Sequence, residues 1–122
     1  MKIHDQYIDL APNIIRRRLV IEGISKEIFT KENMNAYMIQ LSEIMNMTIV
    51  SEPTFNYDEK YGLSSYMCWK ESGMHIYTWE KKNNIIIKFF SIDIYTCKNF
   101  NINDVIEFTS NSFSIKELTW KE

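Results

Sequence analysis

The stretch from His75 to Cys97 constrains this chain more than any other part of it. His75-Ile76-Tyr77-Thr78-Trp79 and Ile85 to Cys97 are rich in β-branched and aromatic residues, and the charged segment Glu80-Lys81-Lys82-Asn83-Asn84 separates them. Such side chains pack well on a pleated surface, and two such runs around a short polar turn pair as an antiparallel hairpin. A fold built on this meander contains an antiparallel sheet, and at least one of its faces needs a cover.

The flanking sequence supplies further strands and the cover. Ile14 to Glu22, ending at Gly23, reads as a first strand whose faces differ in polarity. Thr30 can cap a helix over residues 31 to 45, in which Met34, Tyr37, Met38, Leu41, Ile44 and Met45 recur at spacings of three and four. Thr48-Ile49-Val50 followed by Phe55 and Tyr57 reads as an irregular second strand, because Pro53 lacks the N–H a ladder needs. Residues 57 to 62 form a polar turn, Leu63 to Lys70 a third strand, and Gly73 marks a tight break. Asn101 or Asn103 can cap a second helix over 102 to 110 with Val105, Ile106 and Phe108, and Phe113, Ile115 and Leu118 fall on a last strand. The order predicts an α+β sandwich: a mostly antiparallel sheet with two helices on one face. Residues 1–13 read as an N-terminal arm and 14–122 as a single domain, since 122 residues of which 45% are hydrophobic suffice for one core. Trp69, Phe89, Tyr95 and Trp120 are many large aromatics for that core, so a symmetric homo-oligomer is expected.

Composition removes several functions. Fourteen basic residues against sixteen acidic ones leave a charge of -2, so the domain has no general attraction to a nucleic-acid backbone. Three glycines cannot build a P-loop or a dinucleotide fingerprint. Cys68 and Cys97 lie far apart and only His4 and His75 accompany them, so neither a metal site nor a cofactor is expected, and both cysteines read as small buried apolar residues. The polar opening and the lack of a long apolar run predict a soluble, cytoplasmic chain without membrane contact.

The densest cluster of reactive residue types is Cys68 to Trp79. Glu71-Ser72, then His75-Ile76-Tyr77-Thr78-Trp79, then Ile92-Asp93-Ile94-Tyr95-Thr96-Cys97 resembles the prokaryotic S-adenosylmethionine decarboxylases, whose pattern is E-S-H-L-x-I-H-T-W-P-E followed by D-x-F-T-C-G. Leu19-Val20-Ile21-Glu22, the helix, and Thr48-Ile49-Val50 with Phe55 follow in that family's order, and the resemblance covers roughly residues 16 to 120. It implies the decarboxylase-like sandwich. In that family the serine becomes a pyruvoyl group by backbone cleavage, a histidine assists, and a cysteine donates a proton during turnover. Ser72 and Cys97 match, whereas Gly73 and Tyr77 stand where the histidines belong. A tyrosine titrating near ~10 cannot replace a base titrating near ~6.5, so self-cleavage is not expected.

The chain is similar instead to the pyruvoyl-free S-adenosylmethionine lyases of that fold. This likeness implies cleavage of S-adenosylmethionine, or of the S-adenosylmethionine–AMP messenger of type III CRISPR defence, to methylthioadenosine (or its AMP-linked form) and homoserine lactone. It also implies a homotrimer with sites between subunits, where likeness to the decarboxylases implies a dimer. Under this reading Glu71 carries the charge of the site, with Ser72 and Tyr77 beside it. Tyr57, Tyr61 and Tyr66 are candidates for stacking on adenine and the sulfonium. Arg16 and Arg18, sharing one strand face, are candidates for holding a carboxylate or phosphate. Each has a plainer reading: Glu71 as a strand-end charge, the tyrosines as core, the arginines as a solvated face. A pyruvoyl-dependent decarboxylase and a non-catalytic S-adenosylmethionine or nucleotide sensor are the alternatives.

Overall fold

The computed structural model describes residues 1–122, and its elements follow the order β1 (Arg17–Ser25), α1 (Lys31–Ile44), β2 (Thr54–Asp58), β3 (Gly62–Trp69), β4 (Ser72–Lys82), β5 (Ile85–Thr96), α2 (Ile102–Ser110) and β6 (Ile115–Lys121). The six strands form one sheet in the order β2-β3-β4-β5-β1-β6, and every neighbouring pair is antiparallel. Alternation along the strands sends Leu19, Ile21, Met67, Trp69, Met74, Ile76, Phe90, Ile92 and Ile94 to one face, where all are buried. Both helices cover that face. Met34, Tyr37, Met38 and Leu41 of α1 and Val105 of α2 join the same core, and Tyr37 links the helices by stacking on Phe108 at 5.4 Å and sharing a 2.7 Å hydrogen bond with Thr109. Burial pushes the Tyr37 phenol well above its usual range, so it stays a neutral hydrogen-bonding group.

Local chemistry explains the helix ends. Thr30 accepts from the Asn33 N–H while the Asn33 side chain accepts from the Thr30 N–H, closing a capping box. Asn101, of the two candidates, caps α2 through the Asp104 N–H. Ile44, expected on the buried face of α1, is 41% exposed.

The strand boundaries differ from expectation at several places. β1 starts at Arg17 rather than Ile14 and runs through Gly23 to Ser25. Gly23 sits inside the strand because a Cβ there would lie 2.6 Å from the Glu117 carbonyl oxygen and 2.8 Å from the Phe90 ring. Gly73 is likewise no break: it lies in β4 opposite Cys68, and the turn is Lys70-Glu71. The second strand is confined to Thr54–Asp58, with Ile49 bridging to Trp69 before Pro53 interrupts. The charged hairpin tightens to Asn83-Asn84, both at positive φ (52° and 66°), which is the pairing a two-residue type I′ turn requires.

The other face of the sheet is uncovered. His75 and Asp93 face each other across β4 and β5, next to Tyr66 of β3, and the rings of Tyr66, His75, Tyr77, Trp79 and Phe89 follow one another at centroid spacings of 4.3, 5.5, 6.5 and 5.4 Å. No helix is long and apolar enough to cross a membrane.

Candidate functional site

The expected site residues fall at two ends of the β3–β4 hairpin. At the first end the Lys70-Glu71 turn is tied to the segment after α1. The Glu71 carboxylate accepts the Thr48 N–H at 2.8 Å and the Thr48 hydroxyl at 3.1 Å. The Lys70 N–H donates to the Thr48 carbonyl, and the Cys97 N–H donates to the Glu71 carbonyl, each at 2.9 Å. The Thr48 N–H, with help from its hydroxyl and from the Lys98 cation, holds the Glu71 carboxyl below the usual range. Glu71 is therefore a fixed anion at neutral pH, and a carboxylate with about four acceptor sites retains some for a further cation.

Ser72 follows at φ 132°, a conformation rare for a residue with a side chain. Next to it, the Tyr66 hydroxyl lies 2.9 Å from where a Cβ on Gly73 would stand, so Tyr66 takes the space a histidine at this position would need. Tyr66 is partly buried, and that burial, reinforced by Cys68, pushes its phenol up. Cys97, read as buried, is exposed, and Cys68 is half-buried. Thr96 faces the core, so the alternation of β5 turns the next residue, Cys97, away from it.

At the opposite end, Tyr57, Tyr61 and Tyr77 line a single cavity of about 380 Å³ with Asn56, Asp58 and Trp79. The β2–β3 turn shapes it: the Asp58 carboxylate accepts the Lys60 and Tyr61 N–H groups at 2.8 and 3.0 Å, which leaves Tyr61 59% and Tyr57 64% exposed. Tyr77 is five residues beyond Ser72 on β4, or roughly 17 Å along a strand, so within one chain Glu71 and this cavity cannot touch one small molecule's reacting atoms together.

The arginines separate as well. Arg16 precedes β1 and its guanidinium binds the Asp9 carboxylate and the Ala11 carbonyl, so it does not share a strand face with Arg18. Arg18 lies over the Tyr95 ring at 4.5 Å on the uncovered face. Arg17 is the engaged member of the triplet, donating to the Phe100 carbonyl at 2.7 Å and to Glu122 at 2.8 Å.

Sequence reasoning missed Thr48, Asp58 and Trp79 as members of these two places. Trp79 stood in the quoted Thr-Trp motif, and Asp58 carried a turn signal. Thr48 had no signal, because its contact with Glu71 spans 23 positions. Taken together, one end presents a held anion and the other an aromatic cavity, the two features that suit a cationic ligand with a flat heterocycle.

Residues 20–122 match the family model described as S-adenosylmethionine decarboxylase. No curated protein matches the chain.

Proposed function

The chain belongs to the S-adenosylmethionine decarboxylase family, whose members process S-adenosylmethionine, and on that premise we propose that it is a pyruvoyl-free lyase acting on S-adenosylmethionine or its AMP conjugate. The observation that carries this reading is the occupation of the processing site: Gly73 follows Ser72, the Tyr66 hydroxyl fills the space beside it, and Tyr77 stands at the other expected histidine. Glu71 nevertheless remains as a fixed anion.

The reaction needs little from the protein. A carboxylate oxygen of the substrate attacks its own γ-carbon, the carbon–sulfur bond breaks, and its electron pair goes to sulfur. The sulfonium becomes the neutral thioether methylthioadenosine, and the methionine arm closes to homoserine lactone. No proton is transferred. Opposite charges are neutralised on the way to the transition state, so an aromatic, water-poor cavity favours it, and holding the arm in attack geometry supplies the rest. In this reading Tyr57, Tyr61 and Tyr77 stack on adenine and the sulfonium. Glu71 binds the substrate ammonium, which keeps its charge throughout, so that the anion orients the arm without opposing loss of the sulfonium charge. Because these two groups stand far apart in one chain, Glu71 of one copy completes the tyrosine cavity of another, in a homotrimer.

Incubating the protein with S-adenosylmethionine and, separately, with its AMP conjugate tests this, with products separated by chromatography. Methylthioadenosine or its AMP-linked form together with homoserine lactone is expected. Carbon dioxide release, with a chain cleaved between Glu71 and Ser72, would instead establish the decarboxylase. Binding without any product would establish a sensor.

A further inference from the structure

The N-terminal arm is the part of the molecule whose chemistry the fold does not absorb. Residues 1–16 contain no helix or strand, and Ile3, Tyr7, Ile8, Leu10 and Ile14 are 76, 86, 50, 79 and 58% exposed. Yet the arm is not shapeless. Asp9 accepts the Arg16 guanidinium and, at 2.9 Å, the Ala11 N–H, while Arg16 donates to the Ala11 carbonyl at 3.3 Å and the Ile14 N–H donates to the same carbonyl at 2.9 Å. These bonds make an elbow at residues 9–16, with Tyr7 close to Arg16, and no hydrogen bond joins residues 1–8 to a helix or strand. A segment that orders its own base while leaving so much apolar surface in water is suited to burial against another molecule.

The complementary surface is a groove of about 550 Å³ between α1 and the segment leading into β2. Ile39, Ile49, Phe55 and Met67 form its apolar lining, and its charged lining is Glu32 and Glu52 against the single cation Lys31. Ile39 and Ile49 are 38% and 39% exposed although they neighbour the core. The arm brings the opposite charge at Lys2, next to Ile3, with Asp5 its one acid before residue 9. The groove is also remote from the base of its own arm: β1 is four strands from β2, or roughly 19 Å across the sheet.

We propose that residues 1–8 of one copy dock into the α1–β2 groove of a second copy, with Ile3, Tyr7 and Ile8 on the apolar lining and Lys2 on Glu32 and Glu52. Arm and groove are different surfaces, so the contact closes either by reciprocal exchange between two copies or by repetition around a ring axis. This inference uses no residue of the proposed lyase site.

A photo-crosslinking residue at Ile8, introduced in the full chain, tests it in an equal mixture of ¹⁴N- and ¹⁵N-labelled protein. Crosslinks are expected between chains of unlike label, mapping to residues 31–55 of the recipient. Crosslinks confined to one chain, or mapping to the uncovered sheet face or elsewhere, overturn the proposal. Mass measurement in solution gives a second, independent reading. Deleting residues 1–8, which removes no core side chain, should raise the concentration at which the assembly falls to monomers by about tenfold or more, and Ile39→Glu should do the same. An intact chain that is monomeric, or a truncated chain that assembles as readily as the intact one, also overturns it.

Discussion

The two ends of the β3–β4 hairpin are built on opposite plans. At the Glu71 end backbone and side chain are both secured: Thr48 gives two hydrogen bonds to the carboxylate, Trp69 is 2% exposed, and its indole N–H donates to Ser42 at 2.8 Å. At the Tyr57–Tyr61 end the Asp58 turn and the buried Thr78–Leu63 bond hold the backbone, while Tyr57 and Tyr61 stay exposed beside a cavity. A charge must be immobile to orient a ligand, since any freedom it keeps is lost as it is bound, whereas an aromatic ring with two side-chain torsions can close on a flat ligand at small entropic cost. One end is thus fixed in folding, and the other keeps the freedom that closing on a ligand would use.

The strongest way to break this comparison is Trp69→Ala. If the first end is held by core packing, urea unfolding should show a loss of about 3–5 kcal/mol. A loss below about 1 kcal/mol would mean that the surface hydrogen bonds alone hold that end.

Glu71→Gln follows. It keeps the shape and removes the charge that holds the ammonium and with it the arm in attack geometry, so kcat/KM should fall by roughly two to three orders of magnitude. Near-normal turnover would reduce Glu71 to a staple for Thr48. Tyr57→Ala should act differently, raising KM by roughly ten- to a hundredfold with a smaller change in kcat, as expected for the loss of one stacking partner worth about 1–3 kcal/mol. An equal fall in kcat would place the tyrosine cavity among the pre-set parts of the site.

Ser72→Ala should cost far less activity than Glu71→Gln, since no bond is made to its hydroxyl in the lyase reaction. A pyruvoyl enzyme reverses that ranking.

The smallest effect is that of pH on stability. Glu71 titrates below its ordinary 4.5 in the folded chain, so its contribution is fully present above pH 4.5 and is lost as pH falls through the lowered value. Asp9 is lowered too, by Arg16 and the Ala11 N–H. The comparison is therefore the melting temperature of the parent minus that of Glu71→Gln, which should be constant above pH 4.5 and shrink below it. A difference that grows on acidification would contradict the hydrogen bonds from Thr48.

Much of the architecture was legible in the residues because it rests on local periodicity. Helix α1 and its Thr30 cap, helix α2, and the hairpin from His75 to Cys97 all follow from spacing and cap chemistry within one element. The errors fell where a residue's role depends on a distant neighbour. Gly23 and Gly73 read as punctuation, but each is a strand residue that makes room for a side chain on another strand, the Phe90 ring and the Tyr66 hydroxyl respectively. Arg16 read as a strand partner of Arg18, while a carboxylate seven positions earlier had already taken it.

The sequence by itself determined an antiparallel sheet with helices on one face, and the presence of Glu71-Ser72 without the expected histidines, because pattern and residue identity are properties of a short window. Only the tertiary structure decided that Thr48 fixes Glu71, that Tyr57, Tyr61 and Tyr77 share a cavity, and that Glu71 stands a strand's length away from them. Those are distances between residues joined by strand register and chain crossing, and register is set by the packing of the whole sheet, which no local window contains.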